Sequence, residues 1–112
     1  MWAYMRDERR LDVVDRIAGI AEEAGLSMTH LAMAFAIAHP GVSAAIIGPR
    51  TMAQLEDLLA GAGTTLDDDV LDQVDGVVPP GTDVSELDMA YRAPALMDPA
   101  LRRRAQNNRS AA

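Results

Sequence analysis

The sequence predicts an α/β fold that is mostly helical with a single strand, and three observations lead there. Apolar residues recur at helical spacing through the first third of the 112-residue chain. A short run at residues 42–47 is apolar on both faces, the pattern of a parallel strand covered on both sides. That run then turns through Gly-Pro-Arg-Thr directly into another helical stretch. The length suits one small domain, and with 49% of its residues apolar the chain can bury a core.

The elements follow in order. Over residues 9–24, Leu11, Val14, Ile17, Ala18 and Ala21 share one side while Asp12, Asp15, Arg16, Glu22 and Glu23 take the other, which predicts an amphipathic helix. Gly25 supplies its stop. Ser27 is a natural N-cap for a second helix over residues 28–38, and because residues 31–38 are apolar all round, that helix is expected to be buried on several sides. His39-Pro40-Gly41 ends it, since a proline disfavours helix in the residue before it. After the strand, Thr51 caps a third helix over residues 52–60, ended by Gly61 and Gly63. Thr65 is the expected cap of a fourth, which buries Leu66, Leu71 and Val74 and stops at Pro79-Pro80-Gly81. Beyond Gly81 the periodicity fades into an arm with Pro94, Pro99 and the run Arg102, Arg103 and Arg104, and the last eight residues, AQNNRSAA, are expected to be disordered.

One strand cannot make a sheet. Its N–H and C=O groups would go unpaired if it were buried as its composition demands. Either residues 42–47 pair with a copy of this chain or with another chain, or the sequence belongs to a larger α/β domain whose remaining strands are encoded elsewhere.

The composition excludes several classes. A net charge of −7 opposes nucleic acid or an anionic membrane as the main partner. With no cysteine there is no disulfide framework, thiolate nucleophile or zinc-thiolate site, which fits the cytoplasm. The start is charged within six residues, and no apolar run approaches the ~18 residues that span a bilayer. All ten basic residues are arginine, so chemistry that needs a lysine is closed to this chain.

The corner at Gly48-Pro49-Arg50-Thr51 carries the binding chemistry. A buried strand, a tight loop and a helix start together place free N–H groups and the positive end of the helix dipole toward an anion. Gly48 lets the backbone come close, and Arg50 adds a planar charged fork suited to phosphate. Gln54 lies one turn from Arg50 and Asp57 one turn beyond, so all three can face one ligand edge. An arginine for phosphate, with an amide and a carboxylate for a base, describes one end of a nucleotide site. The alternative from the same residues is a loop arginine beside a solvated helix face.

The stretches GLSMTHLAMAFAIAHPGVSAAIIGPRTMAQLEDLL, LDDDVLDQVDGVVPPGT and PALMDPALRRR resemble, in order and spacing, the C-terminal third of the aldo-keto reductases. The resemblance implies the C-terminal part of a (β/α)8 TIM barrel that binds NADP(H) and reduces aldehydes or ketones. It divides the chain into an unmatched extension at residues 1–8, a barrel segment at 9–81 and a C-terminal arm at 82–112. Residues 43–47 become the last barrel strand, and residues 52–60 the last barrel helix. It further implies that Arg50 holds the NADP 2′-phosphate beside the Gly48 and Pro49 backbone, with Gln54 and Asp57 at the adenine or its ribose, as barrels favour phosphates near their last strands. Leu58 stands where the family usually has an amide, which removes one adenine contact. A whole barrel needs about 250 residues, and the family's catalytic aspartate, tyrosine, lysine and histidine lie on earlier strands. No catalytic residue is therefore assigned, and Tyr4 and Tyr91 lack the family's catalytic context. The chain alone is expected to be inactive, with docking or self-association through residues 42–47 as the alternative role.

The remaining candidates have simpler readings. His30 is read as a partly buried packing residue, and His39 as a residue placed by the helix C-terminal dipole. Asp67, Asp68 and Asp69 are ordinary helix-start chemistry, so no metal site is assigned. Met28, Met33 and Met52 are core filler. Arg102, Arg103 and Arg104 form a solvated or locally paired tail. IAEEAGLSMTHLAMAF has the rhythm of a helix-turn-helix, yet its would-be recognition helix offers apolar groups where base-reading ones are needed.

Overall fold

The computed structural model describes residues 8–82 and 92–111. Within them lie four longer helices, α1 (Glu8–Glu23), α2 (Met28–Ala38), α3 (Met52–Ala60) and α4 (Asp68–Val77). Two single-turn helices follow, α5 (Pro94–Met97) and α6 (Pro99–Arg102), and a 3-10 turn at Gln106–Asn108 closes the chain. Tyr4 and Tyr91 fall outside the described residues.

The caps explain the boundaries. Gly25 adopts φ of 70° at the end of α1, where the Gly25 N–H bonds the Glu22 carbonyl at 3.0 Å and the Leu26 N–H bonds Ala21 at 2.8 Å. This is a Schellman stop, which a left-handed residue makes possible. Ser27 accepts the His30 N–H at 3.1 Å to start α2, and Thr51 accepts the Gln54 N–H at 3.2 Å to start α3. The fourth helix starts later than Thr65 suggests. Asp67 is its cap and accepts the Val70 N–H at 2.9 Å, because Leu66 is drawn into the core ahead of the first turn.

The core lies where α1 packs on α2 and α4. Ile20, Ala21, Leu31 and Val74 form one cluster, Ala34, Ala38, Leu66 and Leu71 a second, and Leu26 and Val70 touch both. The apolar second helix buries less than its composition suggests: Leu31, Ala34 and Ala38 make one inward stripe, while Phe35 is exposed. Leu11 and Val14 are exposed as well, so only the C-terminal half of α1 contributes.

The expected strand is not formed. Among the described residues there is no strand, and residues 42–47 run as irregular chain with Ile46 fully exposed. A strand exists through its ladder partner. With no second strand to supply one, the apolar run is left extended and uncovered.

The arm is more ordered than expected. Pro94 and Pro99 begin α5 and α6 at the first helical position, where a missing N–H costs nothing, and Asp98 caps α6 through the Ala100 N–H at 2.9 Å. The Arg104 N–H bonds the Ala38 carbonyl at 2.7 Å, and its guanidinium reaches the Ile37 and Val42 carbonyls at 3.1 and 2.6 Å. The arm thereby satisfies carbonyls at the end of α2 that a helix terminus leaves open. Residues 105–112 were expected without structure. Instead they carry the 3-10 turn and a buried Arg109, because that guanidinium finds acceptors in the core region.

Candidate functional site

The corner between residues 47 and 52 is built from its caps. Thr51 is extended (φ −128°, ψ 159°) and takes the N–H of Gln54, while Gln54 Oε1 reaches back to accept the Arg50 N–H at 2.7 Å. The two bonds close the loop onto the first turn of α3 in the manner of a capping box shifted by one residue. They leave the Gln54 amide NH2 and the first-turn N–H groups of Met52 and Ala53 without acceptors among the described residues.

Arg50 is exposed, and its guanidinium has no partner among the described residues. Gly48, Gln54 and Asp57 are exposed as well, and Pro49 is half-buried. A Cβ at Gly48 would meet nothing within 4 Å, so nothing inside this chain demands a glycine there. Of the residues predicted to act together, Arg50 and Gln54 are in direct contact through backbone and side chain. Asp57 is held from elsewhere. Leu58 is half-buried and turns inward.

The partner of Asp57 is His30 on α2. The ring Nε2 lies 2.8 Å from the Asp57 carbonyl and 3.2 Å from its carboxylate, with the His30 side chain 20% exposed. Gly61 makes this possible, since any Cβ there would collide with the imidazole. His30 is partly buried as expected, but its part is a polar tie between helices that the sequence reading missed. The signal that was available is the pairing of a histidine one turn after a serine cap with a glycine just past α3.

His39 differs from its reading as well. Its Nδ1 accepts the Gly41 N–H at 2.9 Å, which assigns the ring proton to Nε2, the donor to the Ala95 carbonyl at 2.9 Å. The ring locks the turn after α2 to the arm rather than presenting a cation to the helix end.

The arginine run is locally paired. Arg102 and Arg103 share Asp75 at 2.7 and 2.8 Å, and Arg103 also meets Asp72 at 2.7 Å. Burial opposes the Arg103 charge, but the hydrogen bonds to Asp72 and Asp75 and their charges outweigh it, leaving its pKa raised. Asp68 accepts from Arg109 at 2.8 Å. The acidic face of α4 thus serves the arm, and among the described residues no group of three acidic or histidine side chains could hold a metal.

A cavity of about 870 Å³ lies between α2, α4 and the arm, walled by Leu31, Phe35, Leu71, Val74, Val78 and Leu96. None of residues 48–57 lines it, so it is separate from the Arg50 corner. No helix among the described residues is long and apolar enough to cross a membrane.

Residues 4–79 match the sequence profile described as "Aldo/keto reductase family". A curated relative, "Uncharacterized oxidoreductase YrpG" of Bacillus subtilis (strain 168), is 29% identical over 92 residues, an alignment covering 75% of this chain and 28% of that protein. The chain therefore matches only 28% of that relative's length. No solved structure matches.

Proposed function

Because this chain belongs to the aldo/keto reductase family, we propose that it carries the adenosine-phosphate end of an NADP site in an oxidoreductase acting on aldehydes or ketones. Membership makes it a segment derived from a TIM barrel. We read it as the C-terminal third of that barrel and as a cytoplasmic protein. The dinucleotide supplies hydride when bound. The residues of this chain bind and orient it and move no proton in the reaction.

The observation that carries this reading is the exposed Arg50 guanidinium at the start of α3, which has no partner among the described residues, with the loop beneath it closed by the Gln54 bond to the Arg50 N–H at 2.7 Å. A fork held on a braced loop presents two parallel donors to a phosphate, and the helix start adds favourable potential. Gly48 and Pro49 form the adjoining backbone, and Gln54 still has its NH2 to donate. Asp57 has an outward oxygen for a ribose hydroxyl or an adenine amine, its side chain being 54% exposed.

Calorimetric titration of the purified chain with NADP+ and NAD+ tests the reading. NADP+ is expected to bind more tightly, and Arg50→Ala to weaken NADP+ by at least about tenfold while changing NAD+ little, the loss of one charge-assisted contact. Equal losses for both nucleotides would remove the 2′-phosphate role from Arg50.

A second reading draws on one observation, the fully exposed Ile46 in an extended segment beside a helix with no fully buried residue. Residues 42–47 would dock on a strand of a second chain. A monomer by size-exclusion at all concentrations would count against it.

A further inference from the structure

We propose that His30 is a positioning residue for the nucleotide corner: by holding Asp57 it fixes the tilt of α3, and so the place of Arg50. The proposal rests on the reading of Arg50 as a phosphate clamp.

The helix that carries the corner is poorly held. No residue of α3 is fully buried, and only Leu55 and Leu58 are half-buried, so the hydrophobic core holds the helix loosely. Its C-terminal end is where the body grips it. There the Asp57 carbonyl receives both the Gly61 N–H, at 3.1 Å, and the His30 ring, at 2.8 Å, while the Asp57 carboxylate lies 3.2 Å from the same ring nitrogen. A single imidazole N–H thus anchors both backbone and side chain of one residue.

His30 is itself fixed from two directions. Ser27 accepts the backbone N–H of His30 at 3.1 Å, which holds the residue at the start of α2, and Gly61 gives the imidazole itself a slot that no larger residue would leave. The anchor is therefore stiff, and it sits at one end of a lever.

The lever has a length. Asp57 and Met52 are five residues apart, about 7.5 Å along the helix axis, so a tilt of about 10° at Asp57 moves the start of α3 by roughly 1 Å. Bidentate contact between a guanidinium and a phosphate is weakened by such a shift, because its two parallel N–H···O bonds both need close alignment. Loss of His30 is thereby expected to act at Arg50, two turns away, without either residue touching the other.

The test uses the full chain and titrates NADP+ and NAD+ against wild type, His30→Ala and His30→Gln. The alanine variant is expected to bind NADP+ about tenfold more weakly and to lose its preference over NAD+, the scale of a lost hydrogen bond at a charged group. The glutamine variant, whose amide can still donate to the Asp57 carbonyl, is expected to restore the preference. A merely structural role for His30 would shift melting temperature without changing the NADP+ to NAD+ ratio. Unchanged NADP+ binding in His30→Ala, or failure of His30→Gln to rescue, would overturn the proposal while leaving the Arg50 reading intact. If wild type binds neither nucleotide, it is the cofactor reading that fails. Amide exchange over Met52–Ala60 then decides the lever: faster exchange in His30→Ala upholds it, and unchanged exchange overturns it.

Discussion

Arg109, three residues from the end of the chain, donates through Nη1 to the carbonyl of Leu66 at 3.1 Å, and both residues are buried, with Arg109 only 5% exposed. The guanidinium also donates to the Arg104 carbonyl and to the Asp68 carboxylate, each at 2.8 Å. A charge this buried is tolerable because its fork is satisfied on three sides. The contact fastens the arm to the residue just ahead of α4.

Arg109→Ala is expected to destabilise the chain by about 3 kcal/mol, since it removes three bonds and leaves the Leu66 carbonyl unsatisfied. Arg109→Lys is expected to recover little of this, because an ammonium cannot match the planar fork. Urea unfolding measures both. A loss of under about 0.5 kcal/mol in the alanine variant would mean the arm is not docked in solution.

Asp75 accepts from both Arg102 and Arg103, so Asp75→Ala is expected to cost about 2 kcal/mol, the scale of charge-assisted bonds in a half-buried place. The Arg103 pKa is raised in the folded chain. Its contribution is complete below the unfolded arginine pKa and is lost only as pH rises through the still higher folded value. The urea midpoint is therefore expected not to move on account of Arg103 between about pH 6 and about pH 9, far below the arginine range. Comparison of wild type with Arg103→Ala across that range checks it.

Gly19, inside α1, and Gly25, just beyond its end, are expected to respond to alanine with opposite signs. At Gly25, φ of 70° makes a side chain strained although its Cβ would meet nothing, so Gly25→Ala should cost about 1 kcal/mol. Gly19 is inside α1 with equally open space, and Gly19→Ala should stabilise by about 0.5–1 kcal/mol. Thermal melts of the two variants decide it.

Leu71 is buried at 3% exposure, while Ile46 is fully exposed. Leu71→Ala is expected to cost about 2–4 kcal/mol, and Ile46→Ala to fall within about 0.5 kcal/mol of wild type. A large loss at Ile46 in denaturant titrations would mean that residues 42–47 are covered after all, by a partner or a second copy.

Local signals in this sequence are strong wherever a helix is bounded by its own chemistry. Ser27 and Thr51 cap the helices they were expected to cap, and Gly25 stops the first one, because each bond spans only a few residues. The Arg50 corner was legible for the same reason: spacing along a helix puts Gln54 one turn away. The His30 tie to Asp57 spans 27 residues, and its one local trace is the glycine just past α3 that makes room for the ring.

By itself, then, the sequence determined the four longer helices, the caps at Ser27 and Thr51 and the family. Those are consequences of nearest-neighbour stereochemistry and of residue order. Tertiary structure alone decided three things. Residues 42–47, apolar as any buried strand, stay uncovered because a strand needs a ladder that no other described segment provides. The tail, polar enough to read as disorder, is ordered because Arg104 and Arg109 find open carbonyls at Ile37, Val42 and Leu66. The His30 ring meets Asp57 of α3, because the packing of the chain brings together two residues 27 positions apart.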